Sequence, residues 1–178
     1  LQRIVRIGIP AGMQSVMYNI SNVIIQAGVN TLGTDNVTAW ATYGKVDGLY
    51  WMMINALGIS VTTFVGQNFG AGRLDRVRKG AGACMVIGVA LTASVGVVLY
   101  NGGHLLVELF TTDQQVQAIS MDLLHFMVPT FITYIAIEIL SGTLRGVGDA
   151  WMPLIITGIG VCAVRVLWIM FVLPHYHT

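Results

Sequence analysis

The chain has 178 residues, of which 55% are apolar and only 10% charged, with a formal net charge of +1. Nine basic and eight acidic side chains cannot cover the surface of a water-soluble domain of this size, and the mean hydropathy is +0.74. The charge balance excludes a basic nucleic-acid module. Two cysteines, Cys84 and Cys162, exclude a disulfide scaffold and a four-cysteine zinc site. An all-α integral membrane protein remains, a polytopic helical bundle whose main partner is the lipid bilayer of the cell membrane.

The charges are clustered, and the gaps between clusters are span-sized. Ile7 to Thr34, Gly48 to Gly72 and Gly80 to Val107 contain no Asp, Glu, Lys or Arg. A span takes about 20 residues, so five transmembrane helices are expected at 8–32, 37–68, 80–101, 119–144 and 151–173. The first opens with Pro10 in its first turn, where proline costs little. It is too long for a secretory signal and lacks a small-residue cleavage site. The second is overlong and carries Lys45 and Asp47. A basic connection follows, with Arg73, Arg76, Arg78 and Lys79. After the third span, His104 to Phe110 reads as an amphipathic segment lying in the interface. Thr112-Asp113-Gln114-Gln115 then reads as a capping box with Thr112 as N-cap. The fourth span contains Pro129, expected to kink it or free a carbonyl, and Tyr134 and Glu138. The fifth carries Arg165.

Small residues four apart, Gly8/Gly12, Gly142/Gly146 and Gly158/Cys162, suit close helix packing. If the spans alternate, Arg3, Arg6, Arg73, Arg76, Arg78, Lys79 and Arg145 all fall on one side and no Lys or Arg falls in the opposite connections. That asymmetry puts the first residues in the cytoplasm. The chain starts with Leu1 and stops at Thr178, straight after a span. It is expected to be part of a larger polytopic protein.

Charges inside a span cost at least ~2.5–3.5 kcal/mol at the bilayer centre, so they should face protein or water and have partners. At ~1.5 Å rise per residue, Lys45 and Arg165 lie roughly 12 Å below the outer face and Asp47 roughly 15 Å. The three could share a layer, with Asp47 paired to Arg165 as a structural lock or all three lining a solvated cavity. Lys45 and Asp47 are about 200° apart on their helix and do not face each other. Glu138 lies roughly 10 Å above the cytoplasmic face, with no cation expected at its level. A lone carboxylate in an apolar setting exchanges protons near neutral pH. Tyr134, one turn earlier on the same face, could help it hold H⁺ or Na⁺, or Glu138 could serve as a structural hydrogen bond. No catalytic motif, metal-ligand set or cofactor loop is present: Gly66 to Gly72 is glycine-rich but lacks the Lys and Ser/Thr of a phosphate loop. His175 and His177 read as loop residues.

Val65-Gly66-Gln67-Asn68-Phe69-Gly70-Ala71-Gly72-Arg73, closing a span before a basic loop, resembles the signature loop of the multidrug and toxic compound extrusion (MATE) family. Leu144-Arg145-Gly146-Val147-Gly148-Asp149 followed by Pro153 resembles the family's loop between its tenth and eleventh helices. Gly8-Ile9-Pro10-Ala11 resembles the start of its seventh. The resemblance covers the whole chain and implies helices seven to eleven of twelve, five helices of a six-helix C-terminal lobe, with the N-terminal lobe of the same chain as partner. It implies efflux of cationic, amphipathic compounds in exchange for H⁺ or Na⁺, with no other cofactor. In members with a C-lobe cation site the tenth helix carries an acid with a tyrosine one turn before it, and Glu138 and Tyr134 match that pattern in residue type and spacing. Where some members carry a seventh-helix Glu, eight residues after the proline, this chain has Tyr18, beside Asn19. A lipid-linked-oligosaccharide flippase of the same superfamily, favoured by a cationic layer of Lys45 and Arg165, and a non-transporting membrane scaffold are the alternatives.

Overall fold

The computed structural model describes residues 2–163 and 167, and these are helical almost throughout, with no strand among them. Six α-helices follow in order: α1 Gln2–Val29, α2 Thr34–Gly70, α3 Leu74–Glu108, α4 Gln114–Met127, α5 Phe131–Gly146 and α6 Trp151–Thr157. The chain divides into two compact units, Leu1–Leu32 with Gly148–Thr178, and Gly33–Val147. Among the described residues, three helical stretches are long and apolar enough to cross a bilayer: Thr34–Gly70, Leu74–Glu108 and Gln114–Gly146. The protein is an all-α, multi-pass membrane bundle. The expected first span is helical as α1, but Gln14, Ser15, Asn19, Ser21 and Asn22 interrupt its apolar character, and it is not among the three. The expected fifth span begins as α6, and its second half lies outside the described residues.

In the larger unit, α2, α3 and the interrupted helix α4–α5 pack side by side. α2 contributes a stripe of Tyr43, Val46, Tyr50, Ile54, Val61 and Val65, spaced at three, four and seven residues so that all fall on one helix face. α5 answers with Phe131, Ile135 and Ile139, one turn apart. α3 meets them with small residues, burying Gly88, Thr92, Gly96 and Gly103. A Cβ on Gly88 would lie 2.7 Å from Ile139 Cδ1 and 3.0 Å from Ile135 Cγ1. Gly88 therefore makes room for the isoleucines, Gly96 for Val128 and Gly103 for Leu124, and backbone proximity replaces the interhelical hydrophobic drive that lipid does not supply.

The turns explain where helices stop. α2 ends in a Schellman arrangement: Arg73 N donates to Asn68 O at 2.9 Å and Gly72 N to Phe69 O at 3.0 Å. Gly72 sits at φ +71°, the left-handed position that closes such a motif and that glycine adopts without a Cβ penalty. Asn68 to Arg73 is thus a helix stop and the start of a tight reversal into α3.

Three expectations about the connection between α3 and α4 need correction. α3 runs on to Glu108 instead of ending near 101, so His104 to Glu108 are its last turns and not a separate interfacial segment. The N-cap of α4 is Asp113, not Thr112; its Oδ1 accepts from Gln115 N at 2.9 Å and Val116 N at 3.4 Å. A carboxylate at that position satisfies two free helix donors and complements the helix dipole, which a threonine hydroxyl does less well. The polar residues after 101 ended the hydropathy signal without ending the helix. At Pro129 a 3-10 turn, Val128–Thr130, interrupts Gln114–Gly146, because proline has no N–H for the preceding turn.

In the smaller unit α6 continues as a π-helix, Gly158–Ala163. Gln14 Nε2 of α1 donates to Thr157 Oγ1 at 2.8 Å in a buried contact, and Thr157 Oγ1 donates to Pro153 O at 2.6 Å. A Cβ on Gly158 would meet Met17 Cε at 2.6 Å, whereas Gly8 and Gly12 have nothing within 4 Å. Of the expected small-residue pairs, Gly142/Gly146 and Gly158 make close helix contacts; Gly8/Gly12 does not among the described residues.

Candidate functional site

The α2–α5 seam holds the Glu138–Arg145 ion pair and the Thr62 bridge between helices. It is narrow because α5 has Gly142 and Gly146 where it meets α2. A Cβ on Gly146 would lie 2.8 Å from the Thr62 carbonyl oxygen and 2.8 Å from Val65 Cβ, and one on Gly142 3.0 Å from the Gly58 carbonyl oxygen. Thr62 Oγ1 bridges the helices, within 2.7 Å of Gly58 O and 3.0 Å of Gly142 O.

Glu138 lies in this seam, one turn before Gly142. Its carboxylate occupies the space left by Gly58: a Cβ there would stand 2.6 Å from Oε1 and 3.2 Å from Cδ and Cγ. On its other side Arg145 reaches back along α5, and the Arg145 guanidinium donates to Glu138 Oε1 at 2.6 Å. Both side chains are mostly buried, with 21% and 17% of their surface exposed. Glu138 therefore has a cation at its level, contrary to expectation. Seven residues is two helical turns, so 138 and 145 share a face, about 10 Å apart along the axis. Helical side chains lean toward the N-terminus, which lets the long arginine arm cover that distance from the end of the helix.

One turn above Glu138, Tyr134 packs edge-on against Trp51 of α2, with ring centroids 4.5 Å apart. Trp51 Nε1 in turn donates to Asp47 Oδ2 at 2.7 Å. Asp47, Trp51, Tyr134, Glu138 and Arg145 thus lie along the seam, linked by the Asp47–Trp51 hydrogen bond, the Trp51–Tyr134 ring contact and the Glu138–Arg145 ion pair. Trp51, which no motif singled out, joins the two acids' surroundings; its position four residues after Asp47 is the signal for it in the sequence. Tyr50, on the neighbouring face, stacks on Phe131 at 3.8 Å and donates to the Phe131 carbonyl at 2.7 Å, anchoring α2 at the start of α5.

The remaining candidates lie elsewhere. Lys45 is exposed on α2, with its ammonium 4.9 Å from the Phe110 ring centroid, a cation–π contact with the α3–α4 connection. Its flexible stem carries the charge to that connection instead of into a buried layer. Arg165 lies outside the described residues, so the expected pairing with Asp47 does too; among the described residues Trp51 is one partner of Asp47. Tyr18 is half-buried and Asn19 exposed on α1, in the other unit, and Asn19 Nδ2 donates to Ser15 O at 2.9 Å within its own helix.

Known proteins bear on this arrangement. The family model described as MatE matches residues 10–170. The chain is 27% identical over 177 residues to the probable multidrug resistance protein YoeA of Bacillus subtilis, covering 97% of this chain and 37% of YoeA. It is 26% identical over 177 residues to the probable multidrug resistance protein NorM of Aromatoleum aromaticum, covering 98% of this chain and 38% of that protein. The chain thus spans less than two fifths of the length of these relatives. Among solved structures, a MOP superfamily transporter from Pyrococcus furiosus shares the fold, with a TM-score of 0.82 at 16% identity, over 98% of this chain and 43% of that one.

Proposed function

Because the chain belongs to the MATE family, we propose that it forms part of the C-terminal lobe of a secondary active efflux antiporter. This transporter exports cationic, amphipathic compounds in exchange for H⁺ or Na⁺, and the first residues of the chain lie in the cytoplasm. Glu138 is the cation-coupling acid of this lobe, and Tyr134 is the neighbouring hydroxyl that helps shape its site. The observation that carries this reading is the placement of Glu138: a carboxylate inside an apolar helix, seated in the gap at Gly58 of the facing helix. Such a group is costly within a span, and its presence there points to a functional site. An antiporter needs a group whose affinity for the coupling ion differs between its two access states, because only a differential affinity shifts that equilibrium.

The names of the relatives, multidrug resistance proteins, support the substrate class. The arrangement suits transport and not turnover of a substrate, since the seam's polar groups are spread along a helix and do not converge on a reacting atom. The flippase alternative loses part of its basis, because Lys45 lies over Phe110. The test is accumulation of an amphipathic cationic dye in a pump-deficient host. Cells expressing the full-length transporter should accumulate less dye, and collapse of the proton gradient or removal of Na⁺ should restore accumulation. Equal accumulation with and without the protein refutes the reading.

A further inference from the structure

The Arg145–Glu138 pair connects two features that the sequence kept apart: an acid inside the membrane and the turn that ends α5. Arg145 is the penultimate residue of α5, and the chain leaves the helix at once. Val147 N donates to Thr143 O at 3.1 Å, and Gly148 takes φ +93°. The guanidinium that would ordinarily extend to the headgroup level is instead drawn back two turns to the carboxylate. That geometry holds the last turn of the helix against its own interior.

We infer that Arg145 is the internal counter-ion of Glu138, and that the coupling cation loads by displacing it, releasing the C-terminal turn of α5. This inference rests on the reading of Glu138 as the coupling acid. The surroundings favour exchange at one carboxylate over sharing between several. On α5, Tyr134 and Arg145 are the neighbouring ionisable groups. On α2, the nearest are Tyr50 and Asp47, eight and eleven residues before Gly58, roughly 12 and 16 Å along the helix. On α3, Cys84 is the titratable group between Lys79 and Tyr100, and the 3-10 turn Val128–Thr130 has none. An incoming H⁺ or Na⁺ therefore competes mainly with the guanidinium. Gly58 leaves the carboxylate room to turn, and the freed arginine can swing out to water and phosphate at the end of the helix. An occupied site and a restrained turn thus become mutually exclusive, which gives the ion a differential effect on the α5 terminus.

The test uses the full-length transporter in proteoliposomes, with a proton gradient and, separately, ²²Na⁺ as probes. Arg145→Gln removes the competitor, so the site should load at about ten-fold lower cation concentration. The pH of half-maximal efflux should rise by about one unit, or half-saturating Na⁺ should fall about ten-fold. Arg145→Lys, which keeps the charge, should return the profile most of the way to the parent. Hydrogen exchange supplies a readout independent of transport: amides of residues 143–149 should exchange faster in Glu138→Gln and in Arg145→Gln, with no further gain in the double variant. An unshifted profile in Arg145→Gln, while Glu138→Gln abolishes efflux, overturns the counter-ion role and leaves Glu138 as coupling acid. Efflux by Glu138→Gln equal to the parent removes the coupling role, and this inference with it. Unchanged exchange at 143–149 in both single variants overturns the release of the turn.

Discussion

Gly58 and Gly146 face each other's helices across the same seam, yet replacing each by alanine should cost stability to very different extents. At Gly58 the new methyl would lie 2.6 Å from Glu138 Oε1 and 3.2 Å from Cδ and Cγ, well inside the ~3.5–4.0 Å of an ordinary contact. The obstacle is the far end of a flexible side chain, so the carboxylate moves and the helices do not. The loss is one charge-assisted hydrogen bond, worth about 1.5–3 kcal/mol; with 21% and 17% of the pair's surface exposed the lower end applies. Against it stands the helix-propensity gain of alanine over glycine, about 0.8–1 kcal/mol. The net cost should be below about 1 kcal/mol. At Gly146 the methyl would meet the Thr62 carbonyl oxygen at 2.8 Å and Val65 Cβ at 2.8 Å. Neither can rotate away, and overpacking of this kind costs about 1–3 kcal/mol. Thermal unfolding of the detergent-solubilised protein should therefore show Gly58→Ala close to the parent and Gly146→Ala clearly lower. A Gly58→Ala protein as unstable as Gly146→Ala would refute the claim that the carboxylate is free to move in its gap.

Tyr50→Ala should destabilise by about 3–5 kcal/mol, through the cavity left against Phe131, while Tyr50→Phe loses only the bond to the Phe131 carbonyl, about 0.5–1.5 kcal/mol; equal melting of the two variants would mean that the stacking is not formed. Asp113→Ala should cost about 0.5–2 kcal/mol through the lost N-cap of α4, and Asp113→Ser should recover most of it, read by hydrogen exchange of the Gln115 and Val116 amides. Cysteines introduced at Asp75 and Asp113 should react with an impermeant thiol reagent from opposite faces, Asp75 from the cytoplasm, as the lysine and arginine asymmetry requires; reaction of both from one face contradicts that topology.

The helices and their order were legible because a bilayer imposes long apolar runs between charged connections. Their ends were not, since hydropathy marks where lipid contact stops and not where backbone hydrogen bonding stops. α3 accordingly begins six residues before the expected start at 80 and ends seven after 101. Pro129 was legible because the missing N–H acts through the backbone alone. The neighbourhood of Tyr134 and Glu138 was half legible. Their shared face follows from helical spacing, but counting depth by Cα position assigned Arg145 to the cytoplasmic surface and ignored the reach of its side chain. The seven-residue interval between Glu138 and Arg145 contained the missing information. The placing of Gly58 under Glu138 depends on the register between α2 and α5, which no local pattern specifies.

Uptake of a cationic dye into proteoliposomes under an imposed cation gradient, with Glu138→Gln in the full-length transporter, tests the central claim most directly. The substitution keeps the shape of the side chain and its packing on Gly58 while removing the charge that holds the cation. The variant should fold like the parent, judged by gel filtration and melting, and should show no gradient-driven transport at any pH from about 6 to 8, where a coupling acid must exchange its proton. Transport by Glu138→Gln with the parent's rate and pH profile would contradict the account and place the coupling site outside this seam.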